Sequence, residues 1–253
     1  MGALHEGHLD LVKKSISQTD VTVVSIFVNP TQFNNPEDFA KYPVTVDADL
    51  EKLAKAGVDY VFLPSVDVIY PNKTHLKLDF GDLEQVLEGQ FRPGHFNGVG
   101  IVVSKLFHLI RPHVAFFGQK DLQQVGIIKR LVRDLSFDLS LEIVPTRREA
   151  DGLAMSSRNM RLKPEERKQA LILFQSLEKA KSDLLTGKNW LEIRNQIEVA
   201  FQKTPLAKLE YFELIHPESF QSYSQFDPNG KSSICVAAFI GEIRLIDNMP
   251  VIP

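Results

Sequence analysis

The sequence predicts an α/β protein: a mostly parallel sheet with helices on both faces, joined to a smaller α+β domain. Three observations predict it. Up to about Pro145, short apolar runs alternate with helical patterns, the order that builds βαβ units and a parallel sheet. The first run, Val21–Val28, is nearly all apolar, as expected of a strand covered on both faces. Beyond Pro145 the texture changes to amphipathic helical stretches, then to strand-like runs joined by a short turn. A chain of 253 residues can hold two modest cores, and the expected domains are 1–147 and 148–253.

Each element has its own signal. Leu9, Val12 and Ile16 fall at helical spacing, so a helix opens at Gly7 with His8 in its first turn. After strand Val21–Val28, Asp47–Ala56 is helical, with Leu50, Leu53 and Ala54 on one face and Gly57 as its stop. Val58–Leu63 is the next strand, and Leu76–Phe80 alternates apolar and polar residues. Val99–Ile110 is an apolar helix ended by Arg111-Pro112. Strand Val114–Phe117, helix Leu122–Leu135 and strand Leu139–Val144 complete the βαβ series. Pro164–Leu185 and Trp190–Gln202 read as amphipathic helices joined near Gly187. Leu209–Ile215 and Ser233–Ile240 read as strands, with Gly241-Glu242 turning the chain into Ile243–Ile246.

Composition narrows the function classes. Hydrophobic residues make up 43% and charged residues 24%, ordinary for a globular chain. A net charge of −3 gives no general attraction to nucleic acid or to an anionic membrane. Cys235, between Ile234 and Val236, is the one cysteine. It excludes a disulfide framework or cysteine metal cluster within the chain and reads as a buried small hydrophobe. No apolar run reaches the ~18 residues of a spanning helix, and no signal-peptide pattern stands at the start. A cytoplasmic protein is expected, with neither nucleic acid nor membrane as partner.

Four clusters carry chemistry. His5-Glu6-Gly7-His8 stands at a helix start, where free N–H groups and the positive dipole end suit a phosphate. Two imidazoles there can donate to a phosphoryl group or a leaving oxygen. Either histidine alone would read as an ordinary polar residue; the pair among small residues points to function. Lys120, in Gly118-Gln119-Lys120-Asp121, sits at a strand-to-helix junction where its charge can meet phosphate. In Met155-Ser156-Ser157-Arg158-Asn159, two hydroxyls and a guanidinium can follow a triphosphate as charge moves, although a capping turn would use the same residues. Asn29, Gln32 and Gln124 offer neutral amides that can hold a hydroxylated carboxylic acid without blunting its carboxylate; the plainer alternative is satisfaction of loop backbone. Asn29–Gln32 and Gly118–Asp121 both follow strands, where ligands of such sheets bind.

Taken together these residues resemble the pantothenate synthetases, the pantoate–β-alanine ligases. The matching stretches are Met1–His8, Phe27–Phe33, Leu87–Phe96, Phe117–Gln124, Glu149–Asn159 and Arg244–Asn248. One alone would be weak; together and in this order they are specific. The resemblance implies a Rossmann-like first domain and a C-terminal lid domain. It implies ATP-dependent ligation through pantoyl adenylate, with release of AMP and pyrophosphate. ATP would be held by Met1, Gly2, Ala3, Leu4, His5, Glu6, Gly7, His8, Gly118, Gln119, Lys120, Asp121, Arg147, Met155, Ser156, Ser157 and Arg158. His8 would be the proton donor, with His5, Lys120 and Arg158 joining it in catalysis. Gln32, Gln124, Asn29 and Arg92 would hold pantoate, with Gln32 also near β-alanine. Mg2+ would ride on the ATP phosphates and water rather than on a protein site. A homodimer is also implied.

Departures from the family pattern are Val44, after Tyr42-Pro43, where Arg is common, and Arg147, where a small apolar residue is common beside the adenine. Family members also carry about one strand and one helix ahead of the position of Met1, so an in-frame upstream stretch of ~20–30 residues is expected. Two other readings stay open: a related nucleotidyltransferase making a dinucleotide or CDP-activated product, and an inactive nucleotide-binding or dimerisation module. Phe27–Phe33 and Arg92–Phe96 argue against the first.

Overall fold

The structure is a computed structural model and describes residues 1–33 and 36–252. The chain forms two compact units, Met1–Gln119 with Gln123–Pro145, and Lys120–Leu122 with Thr146–Pro253.

In the first unit, β1 (Val23–Ser25) pairs in parallel with β2 (Tyr60–Phe62), and β3 (Val114–Gly118) with β4 (Ser140–Val144). The β1 ladder continues beyond its ends. Ile26 N–H donates to Phe62 O at 2.9 Å, and Phe27 N–H to Met1 O at 3.1 Å. Met1 N donates to Ser25 O at 2.8 Å, which sets Met1 beside β1 in parallel sense. Helix α1 (Glu6–Gln18) packs on β3, β4 and α3 (Val46–Ala56), with α2 (Pro36–Ala40) between α1 and α3 in the chain. Val12, Val24, Ile26, Leu53 and Leu4 close a small core.

Two expectations change here. Val21–Val28 is not covered on both faces: Val24 and Ile26 are buried while Val21 and Val23 are exposed. Its apolar run therefore conceals an ordinary strand alternation. On α3 the inward stripe is Asp49 and Leu53, whereas Leu50 and Ala54 are exposed. Gly57, at φ +83°, ends α3 as expected.

Short helices α4 (Val66–Ile69) and α5 (Leu87–Phe91) precede α6 (His95–Ile110), which begins four residues before the expected Val99. Gly94, at φ +77°, turns the chain into it. Leu76–Phe80 forms no regular element; its Leu78 N–H donates to the Asn97 side chain at 2.9 Å. Helix α7 (Leu122–Asp134), between β3 and β4 in sequence, buries Val125, Ile127, Ile128 and Leu131.

The second unit holds the larger core. Strands β5 (Ala207–Ile215), β6 (Ser232–Ile240) and β7 (Ile243–Ile252) form an antiparallel sheet in the order β5-β6-β7. Against it lie α9 (Leu171–Leu185), through Leu173, Leu177, Ala180 and Leu184, and α10 (Trp190–Gln202), through Trp190, Ile193, Ile197 and Phe201. Trp190 stacks on Phe212 of β5 at 5.7 Å. Cys235 is buried in β6. The expected single helix Pro164–Leu185 is two, because the chain turns at the fully buried Ala170 between α8 (Pro164–Gln169) and α9. β7 runs six residues beyond the expected Ile246. Among the described residues, no helix is long and apolar enough to cross a membrane.

Candidate active site

The turn before α1 is built around a carboxylate that sequence reasoning missed. Asp49, 1% exposed on α3, accepts the N–H groups of Ala3 at 2.8 Å and Leu4 at 2.7 Å, and the Thr45 hydroxyl at 3.1 Å. Lys52 donates to Leu4 O at 2.5 Å. The Ala3 and Leu4 amides, within the stretch that the family resemblance assigns to ATP, thus bond Asp49. Ala3 takes φ +48°, a conformation this double bond holds in place. The signal was present: Asp49, Leu53 and Ala56 follow helical spacing as well as Leu50, Leu53 and Ala54 do, and only polarity hid it.

His5 is the residue before α1, and Gly7 and His8 lie in the first turn. The His5 N–H donates to His8 Nδ1 at 3.3 Å, and the two rings lie 4.0 Å apart. Because Nδ1 accepts, a neutral ring carries its hydrogen on Nε2.

A second turn follows β1. Asn29 is buried; its Oδ1 accepts from Thr31 N at 3.4 Å, Thr31 Oγ1 at 3.0 Å and the Tyr70 hydroxyl at 2.9 Å. Its Nδ2 donates to Gly98 O at 3.2 Å. These bonds match the plainer alternative for Asn29, a loop-shaping amide. The turn lies so close to α6 that a Cβ on Gly98 would sit 2.4 Å from Thr31 O. Burial raises the Tyr70 hydroxyl pKa, with the Thr31 and Asn29 bonds opposing, so it stays a neutral donor.

Gln32 is held from behind. Its carbonyl accepts from His95 Nδ1 at 2.8 Å and from Arg92 at 3.4 Å. His95 Nε2 then accepts from Arg92 at 3.1 Å, and Glu88 lies 3.5 Å from the same guanidinium. Gln124 is half-buried near the start of α7. Its neighbour Gln123 is fully used inside: it accepts Glu88 N–H at 2.8 Å and donates to Leu83 O at 2.7 Å and Val86 O at 2.9 Å. That clamp fixes the segment carrying Arg92. Gly118 closes β3 with open space where a side chain would be, and Gln119 opens the helical turn Gln119–Asp121. Val44 is exposed.

In the second unit, Lys120 is mostly buried, with Asp121 4.0 Å from its ammonium. Residues 147–155 form a tight hairpin: Glu149 N–H donates to Leu153 O at 2.8 Å and Met155 N–H to Arg147 O at 2.9 Å. Arg147 thus serves the hairpin through its backbone. Gly152 takes φ +95° against the Phe174 ring, which leaves no room for a Cβ. The hairpin delivers Met155 and then Ser156, whose Oγ accepts Arg158 N–H at 3.3 Å and caps the turn Ser157–Arg161. Asn159 donates to Glu149 and to Ala154 O, each at 3.0 Å. Ser157 is buried.

Arg148 holds this hairpin from within. It donates to Gly152 O at 3.1 Å, to both Asp247 oxygens at 2.6 and 3.0 Å, and to Asn248 O at 3.2 Å, with the Phe174 ring at 4.9 Å. Burial pushes the Asp247 carboxyl pKa up; the Arg148 bonds, the Asn248 N–H and the Lys120 charge pull it down.

The sequence matches the family model for pantoate-beta-alanine ligase over residues 1–250. The chain belongs to the pantoate–β-alanine ligase family. It is 48% identical to the pantothenate synthetase of Leptospira biflexa and 46% identical to that of Bacteroides fragilis, covering in each case 98% of this chain and 88% of the relative. The pantothenate synthetase structure from Thermus thermophilus superposes with a TM-score of 0.94 at 41% identity, over 100% of this chain and 91% of the other. The Francisella tularensis enzyme, solved with β-γ ATP and β-alanine, gives 0.81 at 38% identity, over 99% and 87%. The ligase forms pantothenate from pantoate and β-alanine in an ATP-dependent reaction. This sets aside the dinucleotide-forming and inactive-module readings.

Proposed function

We propose that ligation proceeds through pantoyl adenylate, with phosphate chemistry assigned to His8, His5, Lys120 and Arg158. A pantoate carboxylate oxygen attacks the α-phosphorus of ATP and pyrophosphate leaves. The free amine of β-alanine then attacks the acyl carbon, and AMP leaves with the electron pair of the broken acyl–oxygen bond. The observation that carries this reading is the His8 ring, whose Nδ1 is engaged by the His5 N–H so that Nε2 is the donating atom. Such a donor suits charge growing on leaving pyrophosphate. Lys120 and Arg158 would meet the same charge. Gln32 and Gln124 would orient pantoate, with Arg92 behind Gln32 tuning that end. The Francisella complex supports a nucleotide and β-alanine as ligands of this family.

Mg2+ would travel with the nucleotide, since it dehydrates reluctantly and suits phosphate oxygens and water. Among the described residues no group of three or more His, Cys, Asp or Glu side chains that could hold a metal ion converges. Residues 148–253 as a lid domain, a homodimer and a cytoplasmic location complete the proposal; sedimentation of the purified enzyme tests the dimer. Product analysis with pantoate, β-alanine and ATP tests the chemistry. AMP and pyrophosphate are expected, and ADP with inorganic phosphate would instead mean an acyl phosphate.

A further inference from the structure

Asp247 and Asn248 are consecutive buried polar residues in a strand otherwise built for a hydrophobic sheet. They pair with Val236 and Cys235 of β6, so by strand alternation they point to opposite faces. Asp247 shares its face with the core residues Leu245 and Met249 and meets Arg148 there. Asn248, on the other face, donates from Nδ2 to the backbone carbonyl of Lys120 at 2.8 Å. Its own N–H is fixed by Asp247 Oδ1 at 2.8 Å, and its own carbonyl by Arg148 at 3.2 Å.

A buried ion pair is poor evidence of stabilisation, because desolvation offsets much of its attraction. What it does supply is geometry. Arg148 reaches the hairpin at Gly152 and the strand at Asp247 and Asn248, and Asn248 reaches Lys120. One chain of short bonds therefore joins the segment that delivers Ser156–Arg158 to the segment that carries Lys120. The Lys120 charge acts on Asp247 as well.

We propose that Asn248 is a positioning residue for Lys120, anchored by the Arg148–Asp247 pair, and that it serves adenylate formation by fixing the backbone from which the lysine reaches phosphate. This rests on the assignment of Lys120 to that step. A misplacement of about 1 Å at a reacting group can cost roughly 10²-fold. A neutral amide acting only through a neighbour's carbonyl should cost somewhat less.

The test is a double-mutant cycle on ATP–pyrophosphate exchange with pantoate, using the full-length chain. Asn248→Ala should lower the exchange kcat by about 10–100-fold, with little change in the pantoate KM and with pre-made pantoyl adenylate still reacting with β-alanine. Lys120→Ala should fall further, and the double variant should be no slower than Lys120→Ala alone. A merely structural asparagine would instead add its loss to that of Lys120, and additive losses overturn the proposal. So does a folded Asn248→Ala enzyme with exchange within about twofold of the parent, a gap too small for a positioning effect. If the alanine variant does not fold, Asn248→Leu, with the same branching and without the donor, takes its place under the same criteria. An unchanged Lys120→Ala enzyme would remove both this proposal and the lysine assignment. A slow Lys120→Ala beside a normal Asn248→Ala would remove this proposal alone.

Discussion

Each unit holds a candidate turn of its own with a buried aspartate, and the two are satisfied in different ways. Asp49 takes two backbone N–H groups and a hydroxyl, all within its own small core. Asp247 takes both arms of Arg148, a residue 99 positions earlier in the chain. The first arrangement sets the shape of one turn and depends on backbone that is already in place. The second is a cross-link whose geometry depends on a long side chain and on everything that side chain also touches. Damage at Asp49 should therefore stay local, whereas damage at Arg148 should reach several segments together.

The largest expected effect is chemical and isolates the N-terminal turn. His8→Ala should slow adenylate formation by about 10²–10⁴-fold, the scale of a positioned proton donor, while leaving the thermal midpoint nearly unmoved. A loss of stability as large as the loss of rate would mean that His8 supports the turn instead. Next, Arg148→Met leaves the Asp247 carboxyl buried without its cation. It should cost about 3–5 kcal/mol, the range for breaking a buried pair, read as a lower denaturant midpoint. A cost under about 1 kcal/mol, typical of exposed pairs, would show that water already screens Arg148.

Asp49→Ala should cost about 2–4 kcal/mol, since two buried N–H groups lose their acceptor. Asp49→Asn, which keeps one acceptor, should recover about half of that. Equal costs for the two would mean that charge, and not hydrogen bonding, is what Asp49 supplies.

The smallest effect lies near the C-terminal end of α9. Lys179 and Lys188 each bond Asp183 at 2.6 Å and hold its carboxyl below the usual range. A lowered folded pKa contributes stability above the unfolded value of about 3.9, and that contribution is lost as pH falls through the folded value. Asp183→Asn should thus cost a few tenths to about 1 kcal/mol at neutral pH, discounted because both lysines are half exposed. The difference between the variant and the parent should shrink as pH falls below that unfolded value. A difference that persists there would assign the effect to packing.

Much of the fold was legible because its signals are local. Gly57 stops α3 and Gly187 stands in the link between α9 and α10, as read, and the β3–α7–β4 series stands where alternation put it. The break at Ala170 was hidden because both flanking stretches are good helix formers and Ala170 itself keeps right-handed helical angles. The family was legible in its motifs, but the supports around the candidate residues were not. Asp49, Tyr70, Gln123 and the Arg148–Asp247 pair act across 35 to 99 positions. No periodicity within one element reports a partner on another. The committed state of the Ala3 and Leu4 amides was invisible for the same reason.

The alternation of β7 carries one more consequence. The hairpin at Gly241, with φ +58°, sets which residue of β7 faces the core. One extra residue in that turn would slide the strand by a single step and exchange its two faces. Asp247 would leave Arg148, and Asn248 would turn its amide into the hydrocarbon side. The polar doublet thus works as a parity check on the strand: only one of the two registers satisfies it. A length change in the hairpin, roughly 20–24 Å along the strand from Asn248 at ~3.4 Å per residue, would be felt at Lys120 with no catalytic residue altered.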